Sequence, residues 1–473
     1  MTAPTDAAVA AGASSGKAVI DRSAWSWAIF EGARNPYVIL CIIYVLGPYI
    51  ATVVIDDPIR GQIVVASWHR IAGIIVAVTA PFLGAAADRL GRRKPLLAAI
   101  TAVLAPAIFL QWFAMPGGEG LPLWGIGAAV ILAGVMFSLS EVLHNAMLTT
   151  ATPPALLSHV SGLGLALGNA ASVLLLVFVL WGLALPGQID LPFLPSEPLF
   201  GLSQAAHEPS RIVAPLSAIW LLLFAAPLFL YTRDFNTTGE KFVDAMRHGV
   251  GNVMRTLLKL RNYGNVALFL IARMLYFDGK LAILITGGVY AAGVMGWDLI
   301  ELLSYGIILS VFAVLGGVAG GWLDHWFGPK RAVCLEIAVT AICLVAMVSM
   351  TPTSILFFIP VDPAAHAWNG PIFQTAPELA YVGFAIIIAI SITGAFASSR
   401  SLMARLAPEG MAGEVFGLYA MAGSATAWLG PGVVEVFTRA YHSQRAGFLS
   451  IGILLIAGFA LLLFVKPPAR VAH

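Results

Sequence analysis

The chain has 473 residues, of which 59% are hydrophobic and only 11% are charged, and its formal net charge is +2. Soluble domains average about 25% charged residues, so the composition excludes an ordinary soluble protein and predicts an integral membrane protein. The small net charge argues against a nucleic-acid partner. The three cysteines, at 41, 334 and 343, lie in apolar runs and predict neither a disulfide framework nor a metal site. No cofactor is expected.

Twelve apolar stretches follow in chain order, each long enough for a membrane-spanning helix of about 20 residues. A polar tail at 1–22, which lacks the apolar core of a signal peptide, precedes an N-terminal bundle within 23–231. A hydrophilic linker at 232–262 separates it from a C-terminal bundle within 263–466, and a short tail follows at 467–473. The predicted spans are 23–50, 64–88, 95–114, 122–148, 156–185, 211–231, 263–292, 297–322, 331–350, 378–406, 410–440 and 443–466. The sequence predicts an all-α polytopic membrane protein with twelve transmembrane helices in two six-helix bundles.

The linker has a helical pattern of its own. Its apolar residues recur at helical spacing and are Phe242, Met246, Val250, Val253, Leu257 and Leu260. The charged residues lie largely on other faces, which predicts an amphipathic helix on the inner leaflet. We expect it to tether the two bundles, and a regulatory, calmodulin-binding type of helix is the alternative.

The distribution of lysine and arginine predicts the orientation. If the basic stretch at 89–94 is cytoplasmic, 17 of the 26 Lys and Arg residues lie inside, five lie outside and four lie within spans. The positive-inside rule then places both termini and the linker in the cytoplasm. We expect a multi-pass protein of a bacterial inner membrane.

A compact charged turn, Gly84–Pro95, lies between the second and third spans and reads G-A-A-A-D-R-L-G-R-R-K-P. A generic basic stop explains its cations but not the placed Asp88 or the two glycines, of which Gly91 suits a tight turn. The pattern resembles the loop between the second and third helices of major facilitator superfamily transporters. The resemblance implies that Asp88, with Arg89 and Arg93, pairs with neighbouring helices and closes the cytoplasmic side.

The C-terminal half repeats this turn. Gly320–Arg331 reads G-G-W-L-D-H-W-F-G-P-K-R. In this second turn Asp324 is the acid, Gly328 is the glycine and Lys330 is the cation that correspond to those of the first turn. One extra residue separates the acid from the glycine, so the two turns are not expected to be identical. Repeated bundles around a central site are a common design of secondary transporters.

Ionisable residues inside the predicted spans require a structural or functional explanation, because inserting each one near the bilayer centre costs about 2.5–3.5 kcal/mol. They are Glu31, Arg34, Glu141, Arg273, Asp278, Lys280, Glu336, Arg400, Glu414 and Glu435. Pairing between helices is one explanation for all of them, and it is favoured for Glu435, which can also reach the outer surface. Glu31 and Arg34 stand one helical turn apart and can pair on one face.

Two of these acids occupy matching positions. Glu31 stands in the sequence F-E-G of the first span and Asp278 in the sequence F-D-G of the seventh, and each span opens its half of the chain. Burial in a dry cavity disfavours the charged form of a carboxyl group, which lets it bind and release a proton. Glu31 and Asp278 are therefore the candidates for proton coupling.

Four stretches carry a narrower resemblance. They are W-A-I-F-E-G-A-R-N-P at 27–36, H-N-A-M-L at 144–148 with V-S-G-L-G-L-A-L-G at 160–168, L-Y-F-D-G at 275–279, and S-R-S-L-M-A-R-L-A-P at 399–408. In this order they are similar to the vacuolar-effluxer-like branch of the superfamily. That branch includes the fungal autophagy-related protein that exports amino acids from the vacuole. The resemblance implies efflux of small solutes, with amino acids as the prototype.

The chain departs from that branch in the first span. The family usually has Asp-Trp-Ala-Asn-Ser where this chain has Glu31 to Asn35, and Tyr where His144 stands. Arg34 is therefore a gained cation in the expected cavity. Either the site prefers an anionic substrate, or Arg34 neutralises Glu31.

The predicted function is secondary transport of a small polar solute by alternating access, with protons as the coupling ion and efflux as the direction. The protein is expected to act as a monomer in the lipid bilayer. The candidate residues for substrate binding or proton coupling are Glu31, Arg34, Asn145, Asn169, Asp278 and Arg400. The candidate cytoplasmic gate comprises Gly84, Asp88, Arg89, Gly91, Arg93, Asp324, Gly328 and Lys330.

Two alternatives remain, a lipid or lysolipid flippase on the same fold and a non-transporting receptor or assembly subunit. An enzyme is not expected, because no H-E-x-x-H or G-x-S-x-G sequence falls within a span. The chain also lacks the nucleotide-binding sequence G-x-x-x-x-G-K-[ST], which argues against direct use of ATP.

Overall fold

A computed structural model of the chain describes residues 20–153, 156–188, 192, 194–234, 263–407, 418–419, 422–423 and 425–466. For 85, 88, 89 and 158 it describes the backbone alone. The predicted amphipathic helix of the linker lies outside the described residues, as do residues 1–19 and the tail at 467–473.

Twelve long helices lie within the described ranges and are numbered in chain order. They are α1 Arg22–Pro36, α2 Pro58–Leu90, α3 Lys94–Phe109, α4 Leu123–Ala151, α5 Leu157–Val179, α6 Val213–Tyr231, α7 Gly264–Tyr290, α8 Leu299–Phe327, α9 Pro329–Val348, α10 Ala376–Leu406, α11 Leu429–Tyr441 and α12 Gln444–Phe464. Single turns and π-helical segments extend some of them, at Tyr37–Tyr44, Leu46–Tyr49, Ile50–Val54, Leu180–Ala184, Glu208–Arg211 and Ala291–Met295. Two short strands, β1 Ser354–Ile355 and β2 Ile359–Pro360, form an antiparallel hairpin between α9 and α10.

Ten helical segments in the described part of the chain are long and apolar enough to cross a membrane. The two labelled helices outside this set are α7 and α11. Helix α7 has 27 residues but carries Arg273, Asp278 and Lys280. Helix α11 has 13 residues, and the preceding stretch at 408–417 is not described.

The ends of the helices follow from local chemistry. The Asp21 side chain accepts a hydrogen bond from the Ala24 amide at 3.0 Å and starts α1. Helix α2 begins at Pro58 instead of the predicted 64, because Asp57 caps it and the proline fits its first turn. Pro36 lacks an amide proton, and the chain widens into a π-helical segment directly after it.

The long helices form two sets of six, α1–α6 and α7–α12. In the first set α1 packs against α5 and α6, and α4 packs against α2 and α3. In the second set α7 packs against α12, and α10 packs against α8 and α9. The apolar core runs through both sets.

The two predicted basic turns lie at equivalent places. Helix α2 ends at Gly91 with φ 81°, and α8 ends at Gly328 with φ 78°, values that favour glycine. Their ψ angles differ, −70° against 154°, which agrees with the extra residue in the second turn. We call the side of the molecule that carries these two turns the basic side, and the opposite side the distal side.

The two sets meet between the middle of the molecule and the distal side. A Cβ atom at Gly73 of α2 would lie 2.8 Å from the Trp428 backbone nitrogen. Gly306 of α8 lies against the Tyr44 ring, and the rings of Tyr44 and Tyr305 meet edge-on at 5.8 Å. Small residues allow such close approach of helices. The distal ends of the two sets are therefore closed against each other.

Candidate functional site

A charge cluster joins α1 and α4 inside the N-terminal set. Arg34 Nε donates to Glu31 Oε2 and Arg34 Nη2 donates to Glu31 Oε1, each at 2.9 Å, so the predicted pairing is confirmed and is bidentate. Arg34 Nη1 lies 3.8 Å from Glu141 Oε2, and the guanidinium carbon lies 4.8 Å from the centre of the Phe137 ring. The Arg34 side chain is 3% exposed and that of Glu141 is 49% exposed. This geometry favours the interpretation that Arg34 neutralises Glu31 over that of an anion site.

His144 of α4 completes this cluster, and the sequence analysis did not include it among the site residues. Its Nδ1 lies 3.3 Å from Glu31 Oε2, a close contact without the alignment of a hydrogen bond. Its Nε2 lies 2.9 Å from the Trp27 carbonyl oxygen, and Trp27 Nε1 donates to the His144 carbonyl oxygen at 2.8 Å. The two rings stack with centroids 4.3 Å apart. The sequence signals were an ionisable residue one turn after Glu141 and the departure from the tyrosine that the family usually has there.

Helix α5 closes against this cluster through glycines. A Cβ atom at Gly168 would lie 3.3 Å from Glu31 Cγ, and one at Gly164 would lie 3.0 Å from the Trp27 ring. Asn169 follows directly on α5 and is half-buried. The two glycines let α5 approach α1 at the height of the buried acid.

An exposed polar face runs along the basic-side half of α4. Glu141, Asn145 and Thr149 follow at intervals of four residues, and all three are exposed. Leu132, nine residues before Glu141, is 40% exposed and lies about two and a half turns away, on the opposite side of the helix. Carboxylate and amide groups avoid lipid, so the polar face lies towards water and the leucine face towards lipid.

A second group of charges lies on α7 in the C-terminal set. Arg273 Nη1 donates to the Tyr419 carbonyl oxygen at 2.8 Å, and the guanidinium carbon lies 3.5 Å from the centre of the Tyr419 ring. It also lies 4.6 Å from the centre of the Phe277 ring. Arg273 is therefore a packed cation that holds residues beside α11 against α7.

Asp278 is 1% exposed, and neither of its carboxylate oxygens has a hydrogen-bond partner among the residues that the structure describes. The Thr426 hydroxyl and the Arg273 guanidinium lie near it without an aligned hydrogen bond. Asp278 therefore lacks the aligned partner that Glu31 has, although the two acids hold matching sequence positions.

Lys280 and Glu336 are buried in the same set. Lys280 Nζ has no hydrogen-bond partner in the described part of the chain and lies 5.4 Å from the centre of the Tyr276 ring. Glu336 Oε1 accepts a hydrogen bond from Ser398 Oγ at 3.3 Å. Glu336 attracts Lys280 electrostatically without a hydrogen bond between them. Lys280 and Glu336 thus interact without being directly joined.

Arg400 is exposed near the basic-side end of α10. The preceding Ser399 is buried and shares hydrogen bonds with the hydroxyls of Tyr276, at 2.7 Å, and Tyr419, at 3.2 Å. This network fixes the backbone from which the Arg400 side chain extends. The structure places Arg400 in the set opposite to the Glu31 cluster.

The basic side of the N-terminal set is held by a residue that the sequence analysis did not select. Asp234, after α6, accepts hydrogen bonds from the amides of Arg93 and Lys94 at 3.0 Å and so caps α3. Arg93 Nη1 also donates to the Ala146 carbonyl oxygen of α4. Of the other candidate gate residues there, Gly84 is half-buried. The side chains of 88 and 89 lie outside what the structure describes.

In the C-terminal set, Lys330 Nζ donates to the Leu463 carbonyl oxygen at 2.9 Å. That bond joins α9 to α12 within one set. Asp324 is half-buried, and its Oδ1 has no hydrogen-bond partner among the described residues. In the part of the chain that is described, Lys330 bonds within its own set and Asp324 Oδ1 accepts no hydrogen bond from the other set.

The distal side carries polar links between the sets. Arg70 Nε of α2 donates to Glu435 Oε2 of α11 at 2.6 Å, and Arg439 Nη2 donates to Glu435 Oε1 at 3.1 Å. Gln62 Nε2 donates to Thr438 Oγ1 at 2.7 Å. The predicted pairing of Glu435 between helices is confirmed, but its side chain is 8% exposed and does not reach the outer surface freely.

Solved structures similar to this chain are transporters. The nucleoside transporter NupG superposes with a TM-score of 0.63 at 11% identity, over 93% of this chain and 98% of that one. A D-xylose-proton symporter superposes with a TM-score of 0.63 at 12% identity, over 94% and 98%. At these identities the likeness shows the fold alone, and it confirms the predicted major facilitator fold.

Curated relatives are also transporters or proteins of the predicted branch. The uncharacterized MFS-type transporter YxiO of Bacillus subtilis is 24% identical over 454 residues, which cover 93% of this chain and 94% of that protein. Autophagy-related protein 22-1 of Neosartorya fischeri is 26% identical over 266 residues, covering 54% of this chain. The match spans 42% of the length of that fungal protein.

The family described as vacuole effluxer Atg22 like matches residues 149–469, more than half of the chain. Its relatives and structural neighbours are transporters and not enzymes. Ten apolar helices of spanning length in the described part of the chain make the protein a multi-pass membrane protein, and its family and its relative YxiO make it a transporter. The chain belongs to the vacuole effluxer Atg22-like family.

Proposed function

We propose that this transporter exports a small zwitterionic solute of the amino-acid class across a bacterial inner membrane, coupled to protons. The description of its family as vacuole effluxers supports the direction of transport. The similarity in fold to a D-xylose-proton symporter supports a proton as the coupling ion. The charges of the molecule support the solute class.

The observation that carries the proposal is the exposed polar face of α4 beside the buried pair of Glu31 and Arg34. Glu141 stands ten residues before the end of α4, which is about 15 Å along the helix. A hydrocarbon layer is about 30 Å thick, so this carboxylate lies near mid-membrane depth. A transporter needs a charged, water-accessible surface at that depth.

The signs of the charges favour a zwitterion. With His144 neutral, Glu31 and Glu141 contribute −2 and Arg34 contributes +1, so the N-terminal cluster has a net charge of −1 and attracts an ammonium group. Arg400, exposed on the opposite set, is a partner for a carboxylate. An amino acid bound between Glu141 and Arg400 touches both sets, with Asn145 and Asn169 as neutral hydrogen-bonding groups beside it.

The two candidate proton sites differ in their contacts. Glu31 is held in a bidentate pair with Arg34, whereas Asp278 is buried without an aligned partner among the described residues. A buried carboxyl without a partner is stabilised by a proton. In this proposal Asp278 takes up and releases the proton as the cavity changes side, and Glu31 belongs to the solute site.

In this proposal alternating access results from opening and closing the contacts at the distal side and at the basic side in turn. The positive-inside rule makes the basic side cytoplasmic, so the distal contacts close the outer face and must separate for export. The gate on the cytoplasmic side comprises the two basic turns, with Asp88, Arg89 and Arg93 in the first and Asp324 and Lys330 in the second. The linker at 232–262 tethers the sets, and a single chain is the working unit.

The test is solute release from proteoliposomes loaded with a mixed pool of amino acids, organic acids and sugars. Release of amino acids alone, accelerated by an inward proton gradient, is the expected result. Asp278→Asn should lose that acceleration and keep solute exchange between equal concentrations. Release of sugars or organic acids in place of amino acids would contradict the solute class. The absence of any release from correctly inserted protein would contradict the function, and a labelled lysophospholipid assay would then test the flippase alternative.

A further inference from the structure

The hydrogen bonds of His144 determine where its protons lie. Nε2 is 2.9 Å from the carbonyl oxygen of Trp27, and a carbonyl oxygen can only accept a hydrogen bond. Nε2 therefore carries a proton, which fixes the tautomer of the neutral ring. In the neutral ring Nδ1 is then a bare lone pair.

An acid lies close to that lone pair. Nδ1 lies 3.3 Å from Glu31 Oε2, and His144 is fully buried. A nitrogen lone pair and a carboxylate oxygen repel each other at this distance, and the buried surroundings strengthen the repulsion. One additional proton removes the repulsion, whether it resides on the imidazole or on the carboxyl group. The Glu31 side chain is 20% exposed, which gives this proton a route to water.

The charged groups around this pair are few in the described residues. Arg34 on α1 and Glu141 on α4 are the nearest, and Arg93 follows along α4 at the Ala146 carbonyl oxygen. The groups that face the pair from α5 and α6 are not ionisable; they are Gly164, Gly168 and, through Phe30, Phe229. Arg400 belongs to the opposite set.

We propose that His144 and Glu31 share one proton and that this proton is exchanged for the ammonium group of the solute. With the proton present, two carboxylates, Arg34 and the proton sum to zero charge; without it the cluster carries −1. The proton leaves to cavity water as the ammonium enters, and no covalent bond changes. The inference rests on the proposed function of this cluster as the solute site. A proton and an amine therefore compete at this cluster, and Asp278 remains the site at which the gradient acts.

The test measures proton release in detergent solution, with a pH indicator, on addition of a mixture of zwitterionic amino acids. The wild type should release a proton on binding, and its apparent Kd should rise about tenfold for each unit of falling pH. His144→Gln keeps an N–H donor for Trp27 but cannot titrate. It should bind the mixture with less proton release and a flatter dependence on pH. His159→Gln, which removes an exposed histidine of α5, is the matched control and should behave as the wild type.

Two further variants separate a titrating role from a structural one. Trp27→Phe removes the hydrogen bond to the His144 carbonyl oxygen and leaves both titrating groups, so proton release should persist. Glu31→Gln should abolish the release, and it replaces His144→Gln if that variant fails to fold. Unchanged release in His144→Gln or in Glu31→Gln would overturn the shared proton. A wild type that binds no zwitterion would instead overturn the proposed function.

Discussion

The two halves of the molecule hold their intramembrane charges in different ways. In the N-terminal set Glu31, Arg34 and Glu141 lie within a few ångströms of one another and are linked by direct hydrogen bonds and ion contacts. In the C-terminal set Asp278 and Lys280 are buried without hydrogen-bond partners among the described residues. The matching positions of Glu31 and Asp278 in the sequence therefore do not give them matching surroundings.

In the proposed mechanism the two sets have different tasks because their charges are held differently. A compact cluster with one exposed carboxylate presents a charged group to water, which suits recognition of a charged solute. A buried acid without a partner is costly when ionised and responds strongly to a proton. In this account the N-terminal set recognises the solute, and the C-terminal set senses the side to which the cavity is open.

The largest expected effect comes from breaking the compact cluster. Arg34→Ala leaves two carboxylates facing each other, and loss of one partner of a buried pair costs about 3–5 kcal/mol. The variant should lose transport and show a clearly lower midpoint of thermal unfolding in detergent. Arg34→Lys keeps the charge without the bidentate geometry. Its transport and its midpoint of unfolding should lie between those of the wild type and of Arg34→Ala. An Arg34→Ala protein as stable as the wild type would show that the cluster does not hold α1 against α4.

Asp278→Asn should leave the stability of the protein nearly unchanged, in contrast to Arg34→Ala, and should affect the coupling of transport to protons. The amide removes a buried charge that has no aligned partner among the described residues, so the free energy of unfolding should change by less than about 1 kcal/mol or increase. Gradient-driven release should be lost while exchange remains, because Asp278 is not one of the residues proposed to bind the solute. A large loss of stability would place Asp278 with the structural charges and remove the contrast between the halves.

The smallest effect is expected at the distal contact. Arg70 is about one-third exposed, and pairs of this kind contribute about 0.2–1 kcal/mol, so Arg70→Ala should shift the closed population by at most about fivefold. Labelling of a cysteine placed at Tyr305, whose ring packs against Tyr44 of the other set, in a background without the three native cysteines, reports the opening. Arg439→Ala is the matched control, because Arg439 pairs with the same Glu435 from within α11. Equal labelling in the two variants would show that the contact between the sets does not close the distal side.

Features that depend on neighbours in sequence were predictable. The pairing of Glu31 with Arg34 follows from helical spacing. The positive φ angles at Gly91 and Gly328 follow from glycine in a turn between helices. The membrane class and the two sets of six follow from the length and order of apolar stretches.

Contacts between distant residues were not predictable. The bonds between Trp27 and His144 span 117 positions, and that between Arg70 and Glu435 spans 365. These bonds depend on which helices pack together. The residues next to each partner in the sequence do not indicate which distant residue it will contact. Glu31 and Asp278 were equal candidates for proton coupling from the sequence. Their matching tripeptides do not show which residues of other helices lie beside each acid.

In the proposed mechanism the exposed carboxylate of Glu141 binds the ammonium group of the solute. The most direct measurement is the affinity of the wild type and of Glu141→Gln for the amino acid that proteoliposomes release and for its amine-free analogue. The account predicts that the substitution weakens binding of the amino acid by about tenfold or more, since a charged contact is lost. It also predicts that the amine-free analogue binds weakly to both proteins. Equal affinity of the two proteins for the amino acid would contradict the account.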